Sequence, residues 1–167
     1  LQFKVAAGEK LGLTQEQITF SGHSIEFRIY AEQPDNEFRP ALGQIKYVLR
    51  PAGIGVREDS WVEAGSVITP YYDSLISKIV VSGRTRSEAI SRSRRVLDET
   101  LFDGVDTTLP FHRRLVRHPD FQNGRIDVGW IGREYKGEKP HGAGVGPMVV
   151  TLQQQKPGRG METGAKG

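Results

Sequence analysis

Between Ser24 and Glu32 the chain alternates, with Ile25, Phe27, Ile29 and Ala31 on one side and Ser24, Glu26, Arg28, Tyr30 and Glu32 on the other. A period of two marks a strand with one face buried and one open. Shorter β segments are expected around 44–49 and 55–58, bounded by the turn signals RPALG and RPAG. SVITPYYDSLISKIVVSG supplies two more, of which Leu75 to Val81 is the most β-branched and is expected at the centre of a sheet. The period then changes. In RTRSEAISRSRRVLDE and the residues after it, Ala89, Ile90, Val96, Leu97 and Leu101 gather near one face, and Ser93 offers a small slot for close packing. That spacing predicts a helix over about 86–101.

Beyond it, FDGV reads as a short extended piece. TTLPFHRRLVRHP reads as a second helix with a threonine N-cap and a proline in its first turn, halted by Pro119. A last short segment runs to about Tyr135. At the other end, LQFKVAAGEKL looks like the end of a helix stopped by Gly8. It begins mid-pattern, without a methionine or an N-cap, so the chain is expected to be a piece of something longer. No internal repeat is visible.

With 167 residues, 37% hydrophobic and 26% charged, the composition suits one globular domain able to bury a substantial core. No run approaches the roughly 18 apolar residues of a membrane helix, and no secretory leader opens the chain. The absence of cysteine excludes disulfides, thiolate metal sites and a cysteine nucleophile. It fits a reducing compartment, so a cytoplasmic setting is expected, an organellar matrix remaining open.

The net charge of +3 raises the question of a polyanionic partner. Residues 136–167 carry five basic side chains against two acidic, which leaves residues 1–135 with 18 of each sign. The predicted 86–101 helix is rich in arginine, but Glu88 and Arg92, Arg94 and Asp98, and Arg95 and Glu99 are spaced i,i+4 and are expected to pair. Nucleic-acid binding needs unpaired positive charge and stacking aromatics, and neither is found there. Residues 136–167 also hold eight of the 20 glycines and three of the nine prolines, and read as a flexible tail or interdomain linker.

Several residues invite two readings. Arg28 by strand position alone is a surface arginine bridging Glu26 and Glu32. Asp73, in PYYDS, is by default an Asx turn or cap. Lys78 shares a strand face with Ile76 and Val80, awkward for an ammonium unless its stem snorkels or it meets a carboxylate. Gly53 and Gly55 form a G-x-G with no helix following at the right distance, hence a tight turn rather than a phosphate loop. Val128 is by default a core residue. His23, His112, His118 and His141 show no ligand spacing, so no metal site is expected.

GHSIEFRIYAEQP, PAGIGVRED, PYYDSLISKIVVSGRTRSEAI and HPDFQNGRIDVGWI together resemble the carboxyl-terminal domain of biotin carboxylase, the unit of biotin-dependent acyl-CoA and pyruvate carboxylases that carboxylates biotin. The resemblance covers roughly residues 1–135. It implies an α+β fold, with a mainly antiparallel sheet flanked by helices. It also implies a reaction in which ATP with Mg2+ or Mn2+ activates bicarbonate as carboxyphosphate, and CO2 is then transferred to a ureido nitrogen of biotin.

Residue by residue, Arg28 matches the family's active-site arginine, Asp73 an aspartate beside the biotin pocket, Val128 an apolar residue bordering the adenine, and Ile54 and Arg57 positions of a dimer contact. Ile54 replaces the aromatic residue of some relatives. The implied partners are an upstream ATP-grasp domain, which carries the nucleotide lid, metal ligands and base, a second copy of the chain, a biotin carrier domain and a carboxyltransferase subunit. Nucleic acid and membrane are not among them. The fragment alone is expected to be inactive. TTLPFHRRLVRHPDFQNGRIDVGWI reads closer to acyl-CoA carboxylases than to pyruvate carboxylase, and a purely structural dimerisation module is the alternative.

Overall fold

The computed structural model describes residues 1–136, so the tail expected over 136–167 lies outside the described residues from position 137 onward. A short helix, α1 (Gln2–Ala6), opens the chain. Gly8, at φ +81°, ends it as anticipated: its N–H donates to the Val5 carbonyl while that of Glu9 returns to Lys4. Every residue from Leu1 to Ser24 is exposed.

The alternating stretch becomes β1 (His23–Tyr30), followed by the short strands β2 (Glu32–Gln33), β3 (Arg39–Pro40), β4 (Gly43–Gln44) and β5 (Tyr47–Leu49). Then come β6 (Val56–Ser60), β7 (Val67–Ile68), β8 (Leu75–Gly83), α2 (Arg86–Glu99) and β9 (Leu101–Asp103). Three short helices close the described chain: α3 (Leu109–Leu115), α4 (Pro119–Gln122) and α5 (Trp130–Glu134).

The main sheet has the order β1-β8-β6, with β8 antiparallel to both neighbours, so the most β-branched segment is the central one. Phe27 and Ile29 of β1 stand with Ile79 and Val81 of β8 on the buried face, against Ile90, Val96 and Leu97 of α2. Each of these side chains, fully buried, contributes roughly 1.5–3 kcal/mol. Ser93 supplies the anticipated slot: it is fully buried, and its hydroxyl donates to the Ala89 carbonyl at 2.7 Å. Thr85 caps α2 by accepting from the Glu88 N–H at 3.2 Å.

The other strands form the antiparallel pairs β2-β3, β4-β7 and β5-β9. The segment expected around 44–49 is therefore two strands. The chain changes partners at Ile45 and Lys46, whose amides donate to Ser66 and to Asp103. Gly104 makes room for this switch: at φ +105°, a β-carbon there would lie 2.2 Å from the Gln44 carbonyl oxygen.

Two local expectations are corrected. Glu88 pairs with Arg92 and Arg95 with Glu99, both at 2.6 Å, but Arg94 and Asp98 do not pair. Asp98 instead takes Arg117 at 2.5 Å and faces Arg113 at 4.0 Å, which ties α2 to α3 and to the turn that follows it. Pro119 does not merely halt α3, which ends at Leu115; it occupies the first turn of α4, where His118 Nδ1 accepts from the Asp120 N–H at 3.2 Å.

Candidate functional site

The open face of the main sheet carries the charges. One cross-strand row runs Arg28, Lys78, Asp59, and the next runs Glu26, Val80, Arg57. Lys78 stands opposite Asp59 in register, and its charge acts on that carboxylate without a hydrogen bond or ion pair between them. Asp59 is held below the usual carboxylate range chiefly by a hydrogen bond from Arg57 at 3.0 Å, with the charges of Arg57 and Lys78 adding to it. Ile76, although near Lys78 in sequence, lies in the core: the pairing shifts between Ile29 and Tyr30, and the irregularity turns Ile76 inward.

Arg28 does not bridge Glu26 and Glu32. Glu32 accepts from the Ser74 hydroxyl at 2.6 Å, and Glu26 lies 3.8 Å from Arg28 Nη1. The close partner is Tyr30: Arg28 Nε donates to the phenolic oxygen at 2.8 Å, with the guanidinium carbon 5.7 Å from the ring centre. That hydrogen bond is the main reason the guanidinium is held even more firmly protonated than usual, the charges of Glu26 and Asp73 helping. About half of the Arg28 side chain is exposed, so a permanently charged planar group faces outward.

Asp73 has a structural role and a place at a cavity. Its Oδ1 accepts from the Leu75 N–H at 2.7 Å, an Asx turn. It also lines a cavity of about 640 Å3 with Trp61, Val67, Thr69, Tyr72 and Leu75. Trp61 is fixed as one wall by its indole N–H, which donates to the Leu75 carbonyl at 2.9 Å. An aromatic and aliphatic cavity with one carboxylate suits a small, mostly apolar ligand bearing a polar head.

The remaining predicted residues are placed as follows. Ile54 tops the Gly53–Gly55 turn and is 85% exposed. Arg57, on the adjoining strand, is also exposed. Gly55 at φ +73° lets the turn press onto Ser82, whose amide donates to the Gly55 carbonyl at 2.7 Å. Val128 is not a core residue: it stands fully exposed beside Asp127, which binds Arg133 at 2.7 Å. Among the described residues no three His, Cys, Asp or Glu side chains converge as a metal site would require, and no helix is long and apolar enough to cross a membrane.

Sequence reasoning missed the support behind Arg28. Thr108, read only as a helix cap, accepts from the Tyr30 N–H at 3.0 Å, and its own N–H donates to the Tyr30 carbonyl at 2.9 Å. His112, considered only as a metal ligand, places Nε2 3.0 Å from the Arg28 carbonyl oxygen. Burial pushes the imidazole's pKa down, so it is held neutral. A carbonyl can only accept, so Nε2 carries the proton. The available signal was that Tyr30 lies two positions from Arg28 and so shares its strand face.

With the geometry in view, comparison with known proteins gives the family. The pattern described as the biotin carboxylase C-terminal domain matches residues 26–133. The chain is 46% identical over 130 residues to biotin carboxylase 1 of Bacillus subtilis, covering 78% of this chain and 29% of that protein. It is 44% identical over 136 residues to a pyruvate carboxylase subunit of Methanothermobacter thermautotrophicus, covering 81% and 28%. Among solved structures, the biotin carboxylase domain dimer of Hydrogenobacter thermophilus 2-oxoglutarate carboxylase, in complex with MgADP, ADP and bicarbonate, superposes with a TM-score of 0.77 at 39% identity, covering 78% of this chain and 29% of that one. The chain belongs to the biotin carboxylase C-terminal domain family, and it spans less than a third of the length of these relatives.

Proposed function

We propose that this domain forms the biotin-side wall of an ATP-dependent biotin carboxylase, with Arg28 as the cation that stabilises negative charge on the biotin ureido oxygen. The observation that carries this reading is the Arg28 guanidinium itself, fixed at Nε by Tyr30 and open at its other end, on the sheet face near Asp73. A ureido nitrogen is a poor nucleophile until proton loss makes the oxygen enolate-like. A fixed guanidinium lowers that barrier, because it presents a donor fork and stays charged through the reaction. Asp73 and the cavity beside it take the biotin ring. Bicarbonate, ATP with its Mg2+ or Mn2+, and the base belong to residues upstream, Val128 contributing at most an apolar edge to the adenine.

The proposed partners are a biotin carrier domain and a carboxyltransferase subunit, in the cytoplasm or an organellar matrix. The acceptor is proposed to be an acyl-CoA rather than pyruvate, on the character of residues 107–131. The test is bicarbonate- and free-biotin-dependent ATP cleavage by the complete enzyme, followed by supply of acyl-CoA or pyruvate to its carboxyltransferase. Arg28→Ala is expected to lower turnover about 10²- to 10³-fold with an unchanged KM for ATP, and Arg28→Lys to rescue poorly. Normal turnover in both variants would leave the arginine as a balance for Glu26 and the domain as a structural module. Product from pyruvate alone would overturn the acyl-CoA assignment.

A further inference from the structure

Resting on the role just proposed for Arg28, the geometry points to Tyr30 as the positioning residue that aims the guanidinium, with Thr108 and His112 holding Tyr30 and Arg28 from behind. An arginine on an open strand face has four rotatable side-chain bonds and ordinarily samples many rotamers, so holding it in one orientation carries an entropic cost. Here the phenolic oxygen of Tyr30 accepts from Nε at 2.8 Å and its ring flanks the guanidinium. Capturing Nε orients the plane and leaves the terminal Nη donors for a ligand. Glu26, at 3.8 Å and itself exposed, is too loose to set that orientation.

The clamp can act only if Tyr30 is held in turn. It is: both of its backbone polar groups are engaged by Thr108, through Tyr30 N–H to the hydroxyl at 3.0 Å and Thr108 N–H to the carbonyl at 2.9 Å. The Arg28 carbonyl accepts from His112 Nε2 at 3.0 Å, and the His112 ring meets Phe27 edge-on at 5.6 Å. The start of α3 therefore fixes the outer edge of β1 at the two residues whose side chains form the Arg28–Tyr30 pair. These bonds hold the backbone at position 30 and so fix the point from which the tyrosine side chain reaches Arg28.

The experiment is a double-mutant cycle in the complete enzyme, measuring free-biotin-dependent ATP cleavage for wild type, Tyr30→Phe, Arg28→Ala and the double variant, with thermal unfolding as control. Phenylalanine keeps the ring and removes only the acceptor. Tyr30→Phe is expected to lower kcat about ten-fold with the KM for ATP unchanged, and to cost nothing further once Arg28 is already alanine. In this chain, the Arg28 Nε–H resonance should lose its protection from exchange in Tyr30→Phe.

If Tyr30→Phe turns over normally while Arg28→Ala is crippled, the positioning role is wrong and the reading of Arg28 stands. If Arg28→Ala itself turns over normally, the proposed function fails first. An equal loss from Tyr30→Phe in both backgrounds would make Tyr30 a general structural residue and overturn the inference.

Discussion

His112 illustrates how much a single side chain can fix without touching a ligand. Its neutral ring, with the proton on Nε2, sits against the Arg28 carbonyl, and protonating it would place a charge where burial disfavours one. The folded-state pKa lies below the unfolded value of 6.5, so the unfolded chain takes up the proton first as pH falls. This group's contribution to stability is complete above about pH 6.5 and declines below it by up to about 1.4 kcal/mol per pH unit, until the folded pKa is reached. Thermal melts of wild type and His112→Gln between pH 7.5 and 5 should show the wild type losing stability more steeply, the two curves converging towards the acid end. Parallel curves would mean that His112 does not titrate differently on folding.

At the same scale, Arg28 and Asp73 were legible as candidates because their motifs are specific. Tyr30 and Thr108 were not legible in these roles. Tyrosine and threonine are ordinary strand and cap residues, and only the approach of α3 to β1 shows which of their groups are engaged.

At the scale of elements, periodicity found the main sheet and α2, where one face is packed tightly enough to impose a clean pattern. It failed where elements are two or three residues long. Nothing in QIKYVL signals that the chain leaves one partner strand for another, because the switch is made by main-chain hydrogen bonds to Ser66 and Asp103. The residue that permits it is legible only in three dimensions. Gly104→Ala would drive a β-carbon into the Gln44 carbonyl at a strained φ, and is expected to cost at least about 2 kcal/mol. A calorimetric scan should show a drop in Tm of roughly 6–10 °C; an unchanged Tm would mean the partner switch tolerates a side chain. The i,i+4 arithmetic on α2 misassigned Asp98 for a related reason, since a helix surface is read from sequence as if nothing else were near it, and α3 and the turn after it bring two competing arginines.

At the scale of the molecule, the sheet has one face in the core and the other given to charge, and Arg28 and Arg57 share that second face in adjacent rows. Ile54, 85% exposed on a turn pinned to Ser82, is the proposed anchor of a contact with a second copy. An aspartate there would carry an unpaired charge into such an interface. Ile54→Asp should therefore raise the dimer dissociation constant of the complete enzyme at least about ten-fold in sedimentation equilibrium, while this domain's own Tm stays within a degree or two. An unchanged dissociation constant would remove Ile54 from the contact.

The closure of β1 by α3 has one more consequence. β1 is an outer strand of its sheet, and an outer strand offers its free amides and carbonyls to any extended chain that passes. Thr108 and His112 occupy that edge at Tyr30 and Arg28. A polypeptide terminated or cleaved before Thr107 would lose that cover, and with it the buried Leu109 and Val116 of the core. The bare edge would then recruit neighbours strand by strand, so the same few bonds that steady an arginine also guard the domain against aggregation.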